Sequence, residues 1–150
     1  MSTYERDYFA WVNAQATLLR QLQPEWLDWR NLAEEVEDLG RSEHDALESH
    51  LENLLIHLLK WRYQPRKRSG SWQASIINSR DRIELLLKRS PSLKARLHET
   101  LAIAYRLARP RAGSQMRMDR RQWEAALPAA CEWTLEQVLD PDFWPEEAEK

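Results

Sequence analysis

Apolar side chains recur along this chain at steps of three and four residues, the period of an α-helix. Tyr4, Tyr8, Trp11, Val12, Leu18, Leu19 and Leu22 share one helical face and predict a first helix over about 4–23, stopped near Pro24. Asp28 is placed to cap a second helix, in which Trp29, Leu32, Val36 and Leu39 form the stripe and Gly40 is the C-terminal stop. Ser42-Glu43-His44-Asp45 resembles a fresh helix start, with Asp where a capping box has Glu or Gln. A third helix follows over about 43–63. Its Leu47, Leu51, Leu54, Leu58 and Trp61, widened by Leu55 and Leu59, give a stripe broad enough for the central helix of a bundle.

The pattern continues past a polar loop that begins at Pro65. Trp72, Ile76, Ile83, Leu86 and Leu87 predict a fourth helix over about 71–89. Ser90-Pro91 restarts the chain with a cap residue and a proline at the first helical position. Leu93, Leu97, Leu101, Ala104 and Ala108 then predict a fifth helix, ended near Pro110. A short helix is expected from Asp119 to Ala126. Thr134-Leu135-Glu136-Gln137 fits a capping box opening a turn or two of helix to about Leu139. The Pro-rich stretch from Asp140 to Pro145 carries Phe143 and Trp144, so it is expected to pack on the bundle. The fold class is therefore all-α: a single bundle of about five main helices, a short sixth helix and a packed C-terminal tail.

Composition narrows the classes of function. The 150 residues suit one domain, and 43% hydrophobic with 31% charged residues is a soluble globular balance. Gly40, Gly70 and Gly113 are the only glycines, too far apart for a phosphate-cradling GxxxxGK[ST] loop or a GxGxxG fingerprint. No GxSxG elbow is present. A lone cysteine, Cys131, excludes an internal disulfide and a zinc site built mainly of thiolates. The most apolar run, 54–59, is far too short to span a bilayer, and the polar opening residues lack a secretion-signal core. A cytoplasmic setting with no membrane is expected.

The net charge of −2 conceals three blocks. Residues 1–59 hold 4 basic and 12 acidic residues, residues 60–121 hold 17 and 4, and residues 122–150 hold 1 and 8. Within the middle block, residues 60–80 carry Lys60, Arg62, Arg66, Lys67, Arg68 and Arg80 with no acid, interleaved with Trp61, Tyr63 and Trp72. Arg62, Arg66, Lys67, Arg68 and Arg80 are the candidate anion or partner surface. Three readings stand for it. Acidic neighbours neutralise it internally; it meets a protein partner or a second copy; or it tracks nucleic acid, with rings stacking on bases. Arg outnumbers Lys by 17 to 5, and its planar fork suits carboxylate or phosphate.

Other chemistry is thin. Glu34, Glu35, Glu37 and Asp38 cluster on helix two, and Glu34, Glu35 and Asp38 are the candidate acid–base groups of an enzyme reading. A metal site could use His50 and His57 with Glu35, but the histidines stand seven residues apart, about 10.5 Å of helical rise, too far for both to hold one ion without help. No HExxH or Glu-x-x-His occurs. Neither a metal nor a cofactor is expected. Cys131 lacks a basic neighbour that would make it a nucleophile, and Ser69 and Ser71 read as turn residues.

Several segments carry a resemblance: Tyr4-Glu5-Arg6-Asp7-Tyr8, the run from Trp29 to Gly40, the run from His57 to Pro65, Ser71-Trp72, and the run from Trp133 to Asp140. The chain resembles the bacterial family known as domain of unknown function twenty-nine, over about Tyr4 to Trp144. The resemblance implies a small helical bundle in a bacterial cytoplasm. It implies no activity, and no catalytic residues carry over. The stretch 110–128 departs from the family's acidic or mixed pattern by carrying Arg111, Arg117, Arg120 and Arg121. The reading favoured is a non-enzymatic interaction module that binds a protein partner or itself through a basic surface. An enzyme using the helix-two carboxylates and a weak nucleic-acid binder are the alternatives.

Overall fold

A computed structural model describes residues 2–149. Among them are seven α-helices and no strand. They are α1 (Thr3–Arg6), α2 (Tyr8–Leu22), α3 (Trp29–Tyr63), α4 (Gly70–Arg89), α5 (Leu97–Gln115), α6 (Arg120–Ala126) and α7 (Leu135–Leu139), with 3-10 turns at Pro65–Lys67 and Pro91–Arg96. The fold is all-α, as the hydrophobic period predicts. The chain divides into two compact units. One takes the chain as far as Leu47 together with Glu84–Arg96; the other takes Glu48–Ile83 and the chain from Leu97 onward.

In the first unit, the expected 4–23 helix is broken at Asp7. This residue adopts an extended conformation, closes α1 and caps α2 by accepting from Ala10 N at 2.9 Å. Its other carboxylate oxygen accepts from Ser92 N at 2.7 Å, a fixed anchor that outweighs unbroken helix. The buried face of α2 is Phe9, Val12 and Ala16, whereas Leu18 and Leu22 of the predicted stripe are exposed. Tyr4, Tyr8 and Trp11 of that stripe pack against one another, with Tyr4 and Trp11 edge to face at 4.9 Å.

The predicted second and third helices are one helix, because Gly40 does not stop α3. Glycine ends a helix by turning left-handed, and no glycine here has positive φ. Gly40 instead lets α2 approach closely: a Cβ added there would lie 3.3 Å from Val12 Cγ2. One turn on, Glu43 is 6% exposed and accepts from Arg89 and, at 2.7 Å, from Ser90 Oγ. That buried carboxylate fixes what the sequence offered as a helix start. Asp28 does cap the helix, accepting from Asn31 N at 3.4 Å.

The second unit is built on leucine. Leu47 closes the first unit's share of α3, and Leu51, Leu54, Leu55, Leu58 and Leu59 beyond it are fully buried, as their spacing predicts. Ile76 and Ile83 of α4 and Leu97, Leu101, Ala104 and Ala108 of α5 join them in this unit. Helix α5 does not end near Pro110 but continues to Gln115. A proline removes one hydrogen bond, yet Ala112 and Gly113 beyond it are buried, so packing carries the helix through. Its end is a Schellman turn: Met118 N donates to Gly113 O, Arg117 N to Ser114 O, and Arg117 takes φ 59°. The capping boxes at Asp119 and Thr134 open α6 and α7 as expected. The stretch after Asp140 packs, with Trp144 4.7 Å from Trp61 and Phe143 6.2 Å from Trp133.

Candidate functional site

The five cations of the candidate surface fall into two groups. Arg80 is 6% exposed; its Nε donates to Val138 O at 2.9 Å and its Nη2 to Phe143 O at 2.8 Å. Arg68 donates from Nε to Trp61 O at 2.8 Å and lies over the Trp61 ring at 4.7 Å. Arg62 pairs with Glu132 at 2.9 Å and donates from Nη1 to Glu146 O at 2.9 Å, while Ala148 N donates back to Arg62 O. These three arginines are a grip on the main chain after α7. Arg66 and Lys67, in the 3-10 turn, are exposed.

Arg80 shows what such a grip costs. Burial pulls its pKa down, because a buried charge is held only by carbonyl dipoles and the more distant Asp140. Among the described residues its Nη1 has no hydrogen-bond partner. The ring of Trp144, 5.7 Å from the guanidinium, supplies a cation–π contact instead. The aromatics interleaved with the cations are used in the same way. Trp61 is covered by Trp144 and Arg68, and the Lys60 ammonium stands 4.6 Å from the Trp72 ring centre while donating to Gln115 Oε1 at 2.9 Å. Burial lowers the Lys60 pKa.

Other parts of the basic middle block are also paired: Arg89 with Glu43, Arg111 with Glu52 and Arg120 with Glu124. Ser69 Oγ accepts from Trp72 N at 3.3 Å, so it caps α4. Glu34, Glu35 and Asp38 are exposed, and Asp38 is paired with Arg41. None of the three lines either of the clefts described next.

The first cleft, about 370 Å³, lies in the first unit between α2, α3 and Arg96. Arg20, Arg41 and Arg96 bring guanidinium groups to it, His44 an imidazole, and Glu37 and Asp45 carboxylates. Glu37 accepts from Arg20 Nε at 2.8 Å, which holds the Glu37 carboxyl below its usual range. Arg96 lies over Phe9 at 5.5 Å. Glu37, Gly40, Arg41 and His44 share one face of α3 at helical steps. That signal is present in the sequence but is cut in two when Gly40 is taken as a stop.

The second cleft, about 440 Å³, lies in the second unit between α5 and residues 129–133. Cys131 lines it, donates to Trp133 O at 3.5 Å, and has its thiol pKa raised by burial, so it is not a thiolate nucleophile near neutral pH. His50 and His57 are partly buried and both have lowered pKa values, from burial first; Arg82 adds to the effect at His50 and Lys60 at His57. Among the described residues no three of His, Cys, Asp and Glu are placed to hold a metal ion.

The model of the family described as "Domain of unknown function DUF29" matches residues 3–144. No curated protein and no solved structure matches the chain.

Proposed function

The chain belongs to the DUF29 family, a domain of unknown function, and on that premise we propose that it is a non-enzymatic helical module that binds a protein partner, a second copy included. The contact is made through the basic turn at Pro65–Lys67. The observation that carries this reading is the division of labour among neighbouring cations. Arg68 and Arg80 spend their hydrogen bonds on the chain's own main chain and Arg62 divides its contacts between Glu132 and Glu146 O, which fixes the turn and leaves the adjacent Arg66 and Lys67 exposed to solvent. A held turn loses less freedom on binding than a mobile one.

The nucleic-acid alternative draws less support, since Trp61 is met by Arg68 and Trp144 and one face of Trp72 by Lys60, which leaves less ring surface for bases. The enzyme alternative draws less as well, because Glu34, Glu35 and Asp38 are exposed and stand outside both clefts. We take the setting to be a bacterial cytoplasm. No helix among the described residues is long and apolar enough to cross a membrane.

The test is cross-linked recovery of tagged protein from its native cells, beside the double charge reversal Arg66→Glu and Lys67→Glu. Both positions are exposed, so the variant keeps its melting temperature. A protein recovered with the wild type and lost with the variant supports the reading. An identical set of recovered proteins overturns it. Salt-sensitive capture of a labelled RNA would transfer the same surface to nucleic acid.

A further inference from the structure

We propose that the cleft between α5 and residues 129–133 is a binding site for a small amphiphilic carboxylate, an aliphatic chain with one anionic head. It is independent of the Arg66–Lys67 surface. The volume of about 440 Å³ falls in the range of small-molecule sites, and the lining is mostly apolar with a few polar groups, the usual make-up of such sites.

The walls are fixed before any ligand arrives. Tyr105 and Trp133 are almost fully buried, and the Tyr105 hydroxyl donates to Pro128 O. One turn further along α5, Arg109 donates to Glu124 O and Leu127 O, which pins the chain just before the cleft-forming segment. Buried Leu101 adds an apolar floor, and exposed Ala102 an apolar edge at the mouth. A site held open in this way takes a ligand at little ordering cost.

The charge selects the head group. His98 and Arg106 line this cleft and are exposed to solvent, whereas Glu132, the one carboxylate of the 129–133 wall, is outside the lining and is paired with Arg62. They stand eight residues apart on α5, so they share a helical face about two turns apart. An occupant therefore has its chain against Leu101 and Trp133 and its anion toward Arg106. A carboxylate meets the planar guanidinium fork with two hydrogen bonds, which an alcohol cannot do.

Cys131 supplies the test, because it lines the cleft and is the chain's single cysteine. The rate of its alkylation by iodoacetamide is measured on the full chain at mildly alkaline pH, with hexanoate, octanoate and decanoate and with octanol. Octanoate should slow labelling roughly tenfold at about ten times its Kd. Affinity should rise about fourfold per added methylene until the cleft is filled. Octanol should protect less than octanoate, and Arg106→Ala should erase that preference while leaving protection by octanol. Labelling unaffected by all four compounds overturns the proposal. Equal protection by octanol and octanoate in the unaltered chain overturns it too. So does labelling that slows with protein concentration alone, since a second copy would then be the occupant.

Discussion

Arginine is used differently in the two units. In the first, Arg20, Arg41 and Arg89 end on Glu37, Asp38 and Glu43. In the second, Arg62, Arg111 and Arg120 also meet carboxylates, but a use absent from those pairs is added: Arg62, Arg68, Arg80 and Arg109 donate to main-chain carbonyls of residues 61, 124, 127, 138, 143, 145 and 146. A carboxylate pair answers to charge, pH and salt. A guanidinium on carbonyls answers to where the chain runs, and any side chain at the accepting positions would serve. The first arrangement is a matter of electrostatics, and the second is a scaffold that happens to be charged. A count of positive residues in the middle of the sequence mixes the two, which is why a net of +13 over residues 60–121 overstates the basic surface.

The sharpest way to break this contrast is Arg80→Ala. It strands the buried acceptors of Val138 and Phe143, each worth about 1–3 kcal/mol. Urea unfolding should show a loss of about 2–4 kcal/mol that changes little with salt, and Arg80→Lys should recover only part of it. A glycine from each unit comes next. A Cβ at Gly113 would stand 2.5 Å from Trp123 Cβ, so Gly113→Ala should cost about 1–3 kcal/mol. At Gly40 the nearest atom is 3.3 Å away, and the helical gain of alanine works in the other direction. Gly40→Ala should therefore stay within about 1 kcal/mol of the parent.

Glu43→Gln tests the carboxylate side of the comparison. It keeps an acceptor for Ser90 but loses charge assistance, so it should cost about 1 kcal/mol, and unlike the Arg80 effect this cost should shrink in high salt. The smallest effect belongs to His57. Its folded pKa is below 6.5, so the unfolded chain takes up its proton first as pH falls. Stability then declines from about pH 6.5 downward, and above that value the group is neutral in both states. His57→Gln should flatten part of that decline in thermal melts between pH 7 and 5, His50 retaining the rest.

The part of the fold legible in the sequence was the part governed by local rules. Leucines from 47 to 59 repeat at the helical period because the helix is buried over that whole stretch. The boxes at Asp119 and Thr134 are legible because a cap and its partner lie three residues apart. Gly40 and Pro110 misled for one reason: both are stop signals only when nothing distant needs the helix to continue. Val12 fits against Gly40, and buried Ala112 lies beyond Pro110. Arg80, expected on the candidate surface, is buried, and the division between it and the exposed Arg66 and Lys67 was not legible. A carbonyl acceptor has no sequence signature, so nothing near Arg80 announces Val138 or Phe143. The apolar cleft was hidden likewise, because it joins one face of α5 to a loop more than twenty residues further along.

Helices α3 and α4 each belong to both units: the boundary falls after Leu47 inside α3 and after Ile83 inside α4. A boundary placed inside a helix is not a linker. Helical turns are cooperative with their neighbours along the backbone, so each of these two helices ties residues of both units into one element. The chain therefore offers no site at which the units can be expressed apart without leaving a severed helix on each. We accordingly propose that it folds as one cooperative domain, which a single unfolding midpoint reported alike by far-ultraviolet dichroism and by Cys131 accessibility would support, and two separated midpoints would refute.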